Sequence, residues 1–260
     1  MRLTEPIENS MSWEGCSPVE YLAQGGIPVT MHIVLLTAAR DGLVWITERS
    51  AFLGSGHGNF AAIEKVTHVQ ERGIAFSAWG DATALEALGE LGGRVKDGSI
   101  SLVDSDQDHV TQSLRDFAND VLPVEKRNLM ERPDTRGLIV ATLGHRPRVY
   151  RLSIVHQPVC FAIYDQATAG DVHNPANLFV RYYYPRCNKT VEELLAIGIH
   201  TMRLARELNS GAVGDTDAWA CSSGRFHQLT LEELARYARL SESLDVSILN
   251  QIGSAAQKLP

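Results

Sequence analysis

The sequence is poor in the features that would make its chemistry easy to read. It has four widely spaced cysteines, Cys16, Cys160, Cys187 and Cys221. None forms a C-x-x-C pair, so neither a zinc site nor a dithiol redox motif is expected. No apolar run approaches the ~18 residues that mark a membrane helix. The first residues, "MRLTEPIENSMSWEGCSP", lack the basic start and apolar stretch of a secretory signal. These absences predict a cytoplasmic protein with reduced thiols and no membrane partner. Basic charge is also short: 24 Lys and Arg stand against 31 Asp and Glu, a formal net charge of -7. That argues against a nucleic-acid partner, which calls for a basic face. The short basic clusters "RPDTR" and "HRPRVYR" sit among turn residues and read as solvated loops. The nine histidines show no metal-ligand spacing, and repeats and low-complexity tracts are missing. "GSGHG" (54–58) has the glycines of a phosphate loop but no helix signal after it, and reads as a loop. No cofactor and no metal are expected.

What is present is 260 residues, 44% of them hydrophobic, which suits one large domain with a core of its own. Pro18 and the paired glycines bracket "SPVEYLAQGG" (17–26) as a short helix. "VTMHIVLLTA" (29–38) and "LVWIT" (43–47) are β-rich runs joined by the turn signal "RDG". "IEKVTHV" (63–69) and "GIAFSAW" (73–79) read as a second hairpin, and Asp81 caps a helix that carries Leu85, Leu88 and Leu91 on one face. A second helix follows, with Val110, Leu114, Phe117 and Val121 on one face and Pro123 at its end. "GLIVATL" (137–143) and "VYRLSIV" (149–155) form a hairpin, "VCFAIYD" (159–165) reads as a buried strand, and 166–177 as a loop. "RYYYP" (181–185) reads equally as a subunit contact or a packed loop. Thr190 and Glu193 make a capping box for a helix to residue 208. A last hairpin spans 216–229, with Cys221 read as buried and inert, and Thr230 and Glu233 box a closing helix. The order ββ, ββ, α, α, ββ, β, α, ββ, α pairs strands with near neighbours. It predicts an α+β fold, a four-layer αββα sandwich of two antiparallel sheets.

Four stretches carry a family resemblance. They are "IVLLTAARDGLVWITERS", "AIEKVTHVQERGIAFSAWGDATAL", "TVEELLAIGIHTMRLARELNSGAVGDTDAW" and "GRFHQLTLEEL", which together span about residues 19–235 with the preceding "VEYLAQGG". In order and spacing the chain resembles the proteasome family of N-terminal nucleophile (Ntn) hydrolases. The resemblance implies an N-terminal extension or propeptide-like segment (1–28) and an Ntn-hydrolase domain (29–260). It implies copies assembled in a ring, a peptide substrate and an unfoldase partner. In the catalytic subunits a threonine freed by self-cleavage attacks a peptide carbonyl, with its α-amine as base. A lysine eases ionisation of the hydroxyl, and a carboxylate keeps that lysine charged. The positions that match are Thr30 as nucleophile, Lys65 and Glu48.

The sequence departs from that pattern at four places. Val29 stands where the family has the glycine that permits self-cleavage. Counting back from the Asp-Gly turn puts His32 in the nucleophile slot, two residues beyond Thr30 and on the same strand face by alternation. Glu48 replaces an aspartate, and the Gly-Ser-Gly oxyanion turn has no counterpart, "YDQATAGD" standing near its place. "VEY", "ITER" and "IEKV" resemble the non-catalytic α-type subunits. Two readings follow: a ring-forming subunit without peptidase chemistry while uncut, or a threonine peptidase activated by cleavage before Thr30. Beside them, Thr30 reads as an ordinary strand residue, His32 as a hydrogen-bonded core residue, and Glu48 with Lys65 as a structural ion pair.

Overall fold

The computed structural model describes residues 26–27, 31–53, 60–62, 65–102, 106–123, 132, 135–170, 176–208 and 215–256. The helix expected before residue 26 and the "GSGHG" loop lie outside them. The strands are β1 (Gly26–Ile27), β2 (Met31–Leu36), β3 (Gly42–Glu48), β4 (Ser50–Leu53), β5 (Phe60–Ala62), β6 (Thr67–Val69) and β7 (Ile74–Trp79). Then come β8 (Gly137–Thr142), β9 (Arg148–Ser153), β10 (Val159–Ile163), β11 (Gln166–Gly170), β12 (Thr216–Ser222) and β13 (Arg225–Gln228). The helices are α1 (Ala82–Asp97), α2 (Gln107–Val121), α3 (Ala176–Tyr183), α4 (Val191–Leu208) and α5 (Leu231–Ala256).

Two five-stranded antiparallel sheets result, in the orders β10-β9-β8-β7-β6 and β11-β2-β3-β12-β13. A small third sheet, β1-β4-β5, was not anticipated from the sequence. Strand alternation sorts the side chains into three apolar layers. Phe76, Leu138, Tyr150 and Leu152 face α1 and α2. Ile33, Leu35, Val44 and Ile46 face α3 and α4. Val34, Leu36, Trp45, Trp79, Ile139 and Trp219 meet between the sheets. The expected αββα sandwich is present. Each large side chain in these layers contributes about 1.5–3 kcal/mol by leaving water.

The local signals hold where the chemistry is strong. In the β2–β3 turn, the Thr37 hydroxyl accepts from the amides of Asp41 (3.2 Å) and Gly42 (3.0 Å) and donates to the Asp41 carboxylate (2.8 Å). Asp81 caps α1 by accepting from the Thr83 amide at 3.0 Å, and also pairs with Arg136 at 2.8 Å. At α5 the capping box closes in both directions: the Glu233 carboxylate accepts from the Thr230 amide at 2.8 Å, and the Thr230 hydroxyl from the Glu233 amide at 3.3 Å. Gly198 lets α4 lie directly on β3, because a Cβ there would stand 2.6 Å from Ile46 Cγ1.

Three expectations need correction. Residues 159–163 form the edge strand β10 and are only partly buried: Cys160 is buried on the helix side, whereas Val159 and Phe161, on the other face by alternation, are exposed. Residues 166–170, expected as loop, form β11, which pairs along the whole of β2 from Leu35 to Met31. Its small residues let β11 run across to the second sheet after only two residues, Tyr164 and Asp165. Residues 176–183 form α3, which takes in the last two residues of the expected loop, and "RYYYP" straddles its end. There Tyr184 is buried and donates to the Leu36 carbonyl at 2.7 Å, while Tyr182 stays exposed.

Candidate functional site

The open end of the β2–β3 hairpin and the residue ahead of β6 together build a buried polar cluster. His32 is the second residue of β2, and the register sets it opposite Thr47 on one side and Ala169 on the other. It shares parity with Val34 and Leu36, so its ring enters the layer between the sheets. Glu48 ends β3 with the parity of Val44 and Ile46, yet its carboxylate at the strand end pairs with the Lys65 ammonium. The same oxygen accepts from the Met31 amide at 3.3 Å. The Thr47 hydroxyl donates to the Met31 carbonyl at 3.1 Å, which ties the strand ends together. His32, Glu48, Lys65 and Ser77 are all buried.

The hydrogen bonds settle the protonation of His32. The Trp45 indole, which can only donate, gives its N–H to His32 Nδ1 at 3.4 Å. Nε2 therefore carries the proton. It lies 3.2 Å from the Ala78 carbonyl, to which it donates, and 3.0 Å from Ser77 Oγ. Ser77 in turn donates to the Lys65 carbonyl. Burial, with the nearby Lys65 charge adding to it, pulls the His32 pKa down to about 3; the Ala78 carbonyl opposes this. The ring is thus a neutral link between β3 and β7. Burial also draws the Lys65 ammonium below its ordinary value, and the Glu48 carboxylate works against that shift.

Glu48 and Lys65, both expected from the sequence, are brought together. Thr30 lies outside the described residues; it is covalently joined to Met31, whose amide holds the Glu48 carboxylate. The stretch "YDQATAGD" reaches the cluster through β11, which sets Gly170, at φ 120°, opposite Met31. Ser77 and Trp45 were missed by sequence reasoning. The signal was there for Ser77, a lone hydroxyl in the apolar run "IAFSAW" that needs a partner once buried. Cys160 and Cys221 are buried, and burial pushes their thiols up to about 12 and about 11, which makes them poor nucleophiles. No group of metal-ligating side chains occurs among the described residues. No helix among them is long and apolar enough to cross a membrane.

No protein-family profile matches the chain, and no curated protein matches it by sequence. Solved structures do match. A Gly-1 mutant of Anbu from Hyphomicrobium sp. strain MC1 superposes with a TM-score of 0.63 at 13% identity, over 89% of this chain and 98% of that one. Anbu from Yersinia bercovieri, described as an ancestral beta-subunit, gives 0.62 at 12% identity with the same coverage. At this identity the likeness shows the fold: the sandwich is that of the proteasome-like Ntn hydrolases.

Proposed function

We propose that this chain is a ring-forming, proteasome-like subunit that acts uncut and without peptidase chemistry of its own. The carrying observation is His32. The turn count gives it the nucleophile's place, and it is buried, neutral and hydrogen-bonded through both ring nitrogens. Such a ring holds strands together and has no hydroxyl to offer a substrate. The Glu48–Lys65 ion pair beside it joins two opposite charges. On this reading residues 1–28 stay attached to the 29–260 domain, and an unfoldase would meet the ring at its mouth.

A second reading, an N-terminal-threonine peptidase, draws on one contact. The Met31 amide donates to Glu48, which puts the Glu48–Lys65 pair one peptide unit from Thr30. A cut before Thr30 would release an α-amine as base, with Thr30 attacking a peptide carbonyl.

Intact mass of the purified chain beside a Thr30→Ala variant, together with its molar mass in solution, separates the two. The first reading expects full-length mass in both and an assembled ring. Loss of residues 1–29 in the wild type alone would sink it and make Thr30 the nucleophile.

A further inference from the structure

α5 is anchored near its start by apolar packing, with Leu234 and Tyr237 joining the layer that faces α3 and α4. After Tyr237 no apolar side chain of α5 is buried among the described residues. Its hold on the domain becomes polar. Ser241 is buried, and its hydroxyl oxygen lies 2.7 Å from His200 Nδ1 and 2.6 Å from Arg203 Nε. One turn on, Asp245 pairs with the Arg203 guanidinium. Past Asp245 the described side chains, Val246, Ser247, Ile248, Asn250 and Gln251, are all exposed. The last buried contact that α5 makes, among the described residues, is therefore the one between Ser241 and α4.

Donor identity fixes the protons in this contact. Arg203 Nε can only donate, so the Ser241 oxygen accepts from it, and the hydroxyl proton goes to His200 Nδ1. His200 is thereby neutral, with Nδ1 an acceptor. The groups that face it are Tyr183 of α3, edge-on at 5.6 Å, Arg203 and Glu207 of α4, and Asp245 of α5. Burial holds the His200 pKa below its ordinary value, with Arg203 adding to it, against the attraction of Asp245 and Glu207. A proton on Nδ1 would turn that nitrogen into a donor aimed at the Ser241 oxygen. The hydroxyl proton would lose its acceptor, and a second cation would stand beside Arg203. We propose that His200 and Ser241 form a proton-operated latch, which holds the C-terminal half of α5 on α4 while the ring is neutral and releases it when the ring is protonated. Undocked, the ring meets water and regains its ordinary affinity for a proton, so acid favours release by linkage. Retention is complete above about pH 6.5 and is lost as pH falls below it. The latch lies on the helix side of the β2 sheet, away from His32, so it does not depend on whether the chain is a peptidase.

The test is amide hydrogen exchange of the full chain from pH 7 to pH 5, read by mass spectrometry and corrected for the intrinsic rate. Protection of peptides covering residues 238–251 is expected to fall by up to about tenfold per pH unit below about pH 6.5, the slope of one proton. It should fall ahead of peptides from β8 and β9, core strands that open only with the whole fold. His200→Asn, whose amide oxygen takes the place of Nδ1 without taking up a proton, should hold α5 protection level across the range. Protection of α5 that stays flat in the wild type, that falls only in step with β8 and β9, or that falls alike in His200→Asn would overturn the proposal.

Discussion

At the scale of single residues, the Glu48–Lys65 pair is the feature whose removal is most telling. Removing one partner leaves a buried charge uncompensated, which costs about 3–5 kcal/mol, whereas removing both is nearly neutral. Lys65→Met is expected to lower stability in urea by that amount, and the double variant Glu48→Gln, Lys65→Met to recover most of it. His32 adds a pH dependence whose sign follows from its depressed pKa. Between about pH 3 and pH 6.5 the unfolded chain takes up a proton that the folded chain refuses. Stability is therefore lost as pH falls through that window, by up to about 1.4 kcal/mol per pH unit from this group alone. Urea titrations from pH 7 to pH 4 check it, and His32→Gln should flatten that part of the curve. The sequence offered Glu48 and Lys65 through the family resemblance and His32 through the count back from the Asp-Gly turn. It did not offer Trp45 as the group that fixes the His32 tautomer. An indole in a strand looks like core, and only the three-dimensional register sets its N–H on an imidazole.

At the scale of elements, close approach governs. Gly198→Ala would gain up to about 1 kcal/mol in helix propensity. The added methyl would nonetheless sit 2.6 Å from Ile46, and such overpacking costs about 1–3 kcal/mol. A net loss of stability by thermal or urea unfolding is expected, with partial rescue by Ile46→Val. The hairpins, the boxed helices and the Asp81 cap were legible because turn and cap chemistry is local. β11 and α3 were not. "QATAG" has neither β-branched density nor clean alternation, and it becomes a strand only because β2 offers it an unpaired edge. "ANLFVRYY" is aromatic-rich and carries no box, and its helix is supported by packing of Ala176 and Val180 on the β2 sheet. Both elements depend on long-range partners that a local reading does not contain.

At the scale of the whole molecule, α4 is largely covered. α5 lies across it, with Ser241 bonded to His200 Nδ1 at 2.7 Å and to Arg203 Nε at 2.6 Å. An exposed apolar stripe runs along α5: Leu240, Leu244 and Ile248, one turn apart and 44%, 43% and 46% exposed. If the chain assembles as proposed, Leu244→Glu should reduce the molar mass measured by light scattering without changing the monomer's circular dichroism. The crossing at Tyr164 and Asp165 has a mechanical consequence. It stitches the two sheets together along one side, as a spine joins the covers of a book. On the opposite side β6 and β13 meet only through side chains such as His68 and Phe226. Breathing of the sandwich is therefore lopsided, and water reaches the layer between the sheets from that unbound fore-edge first.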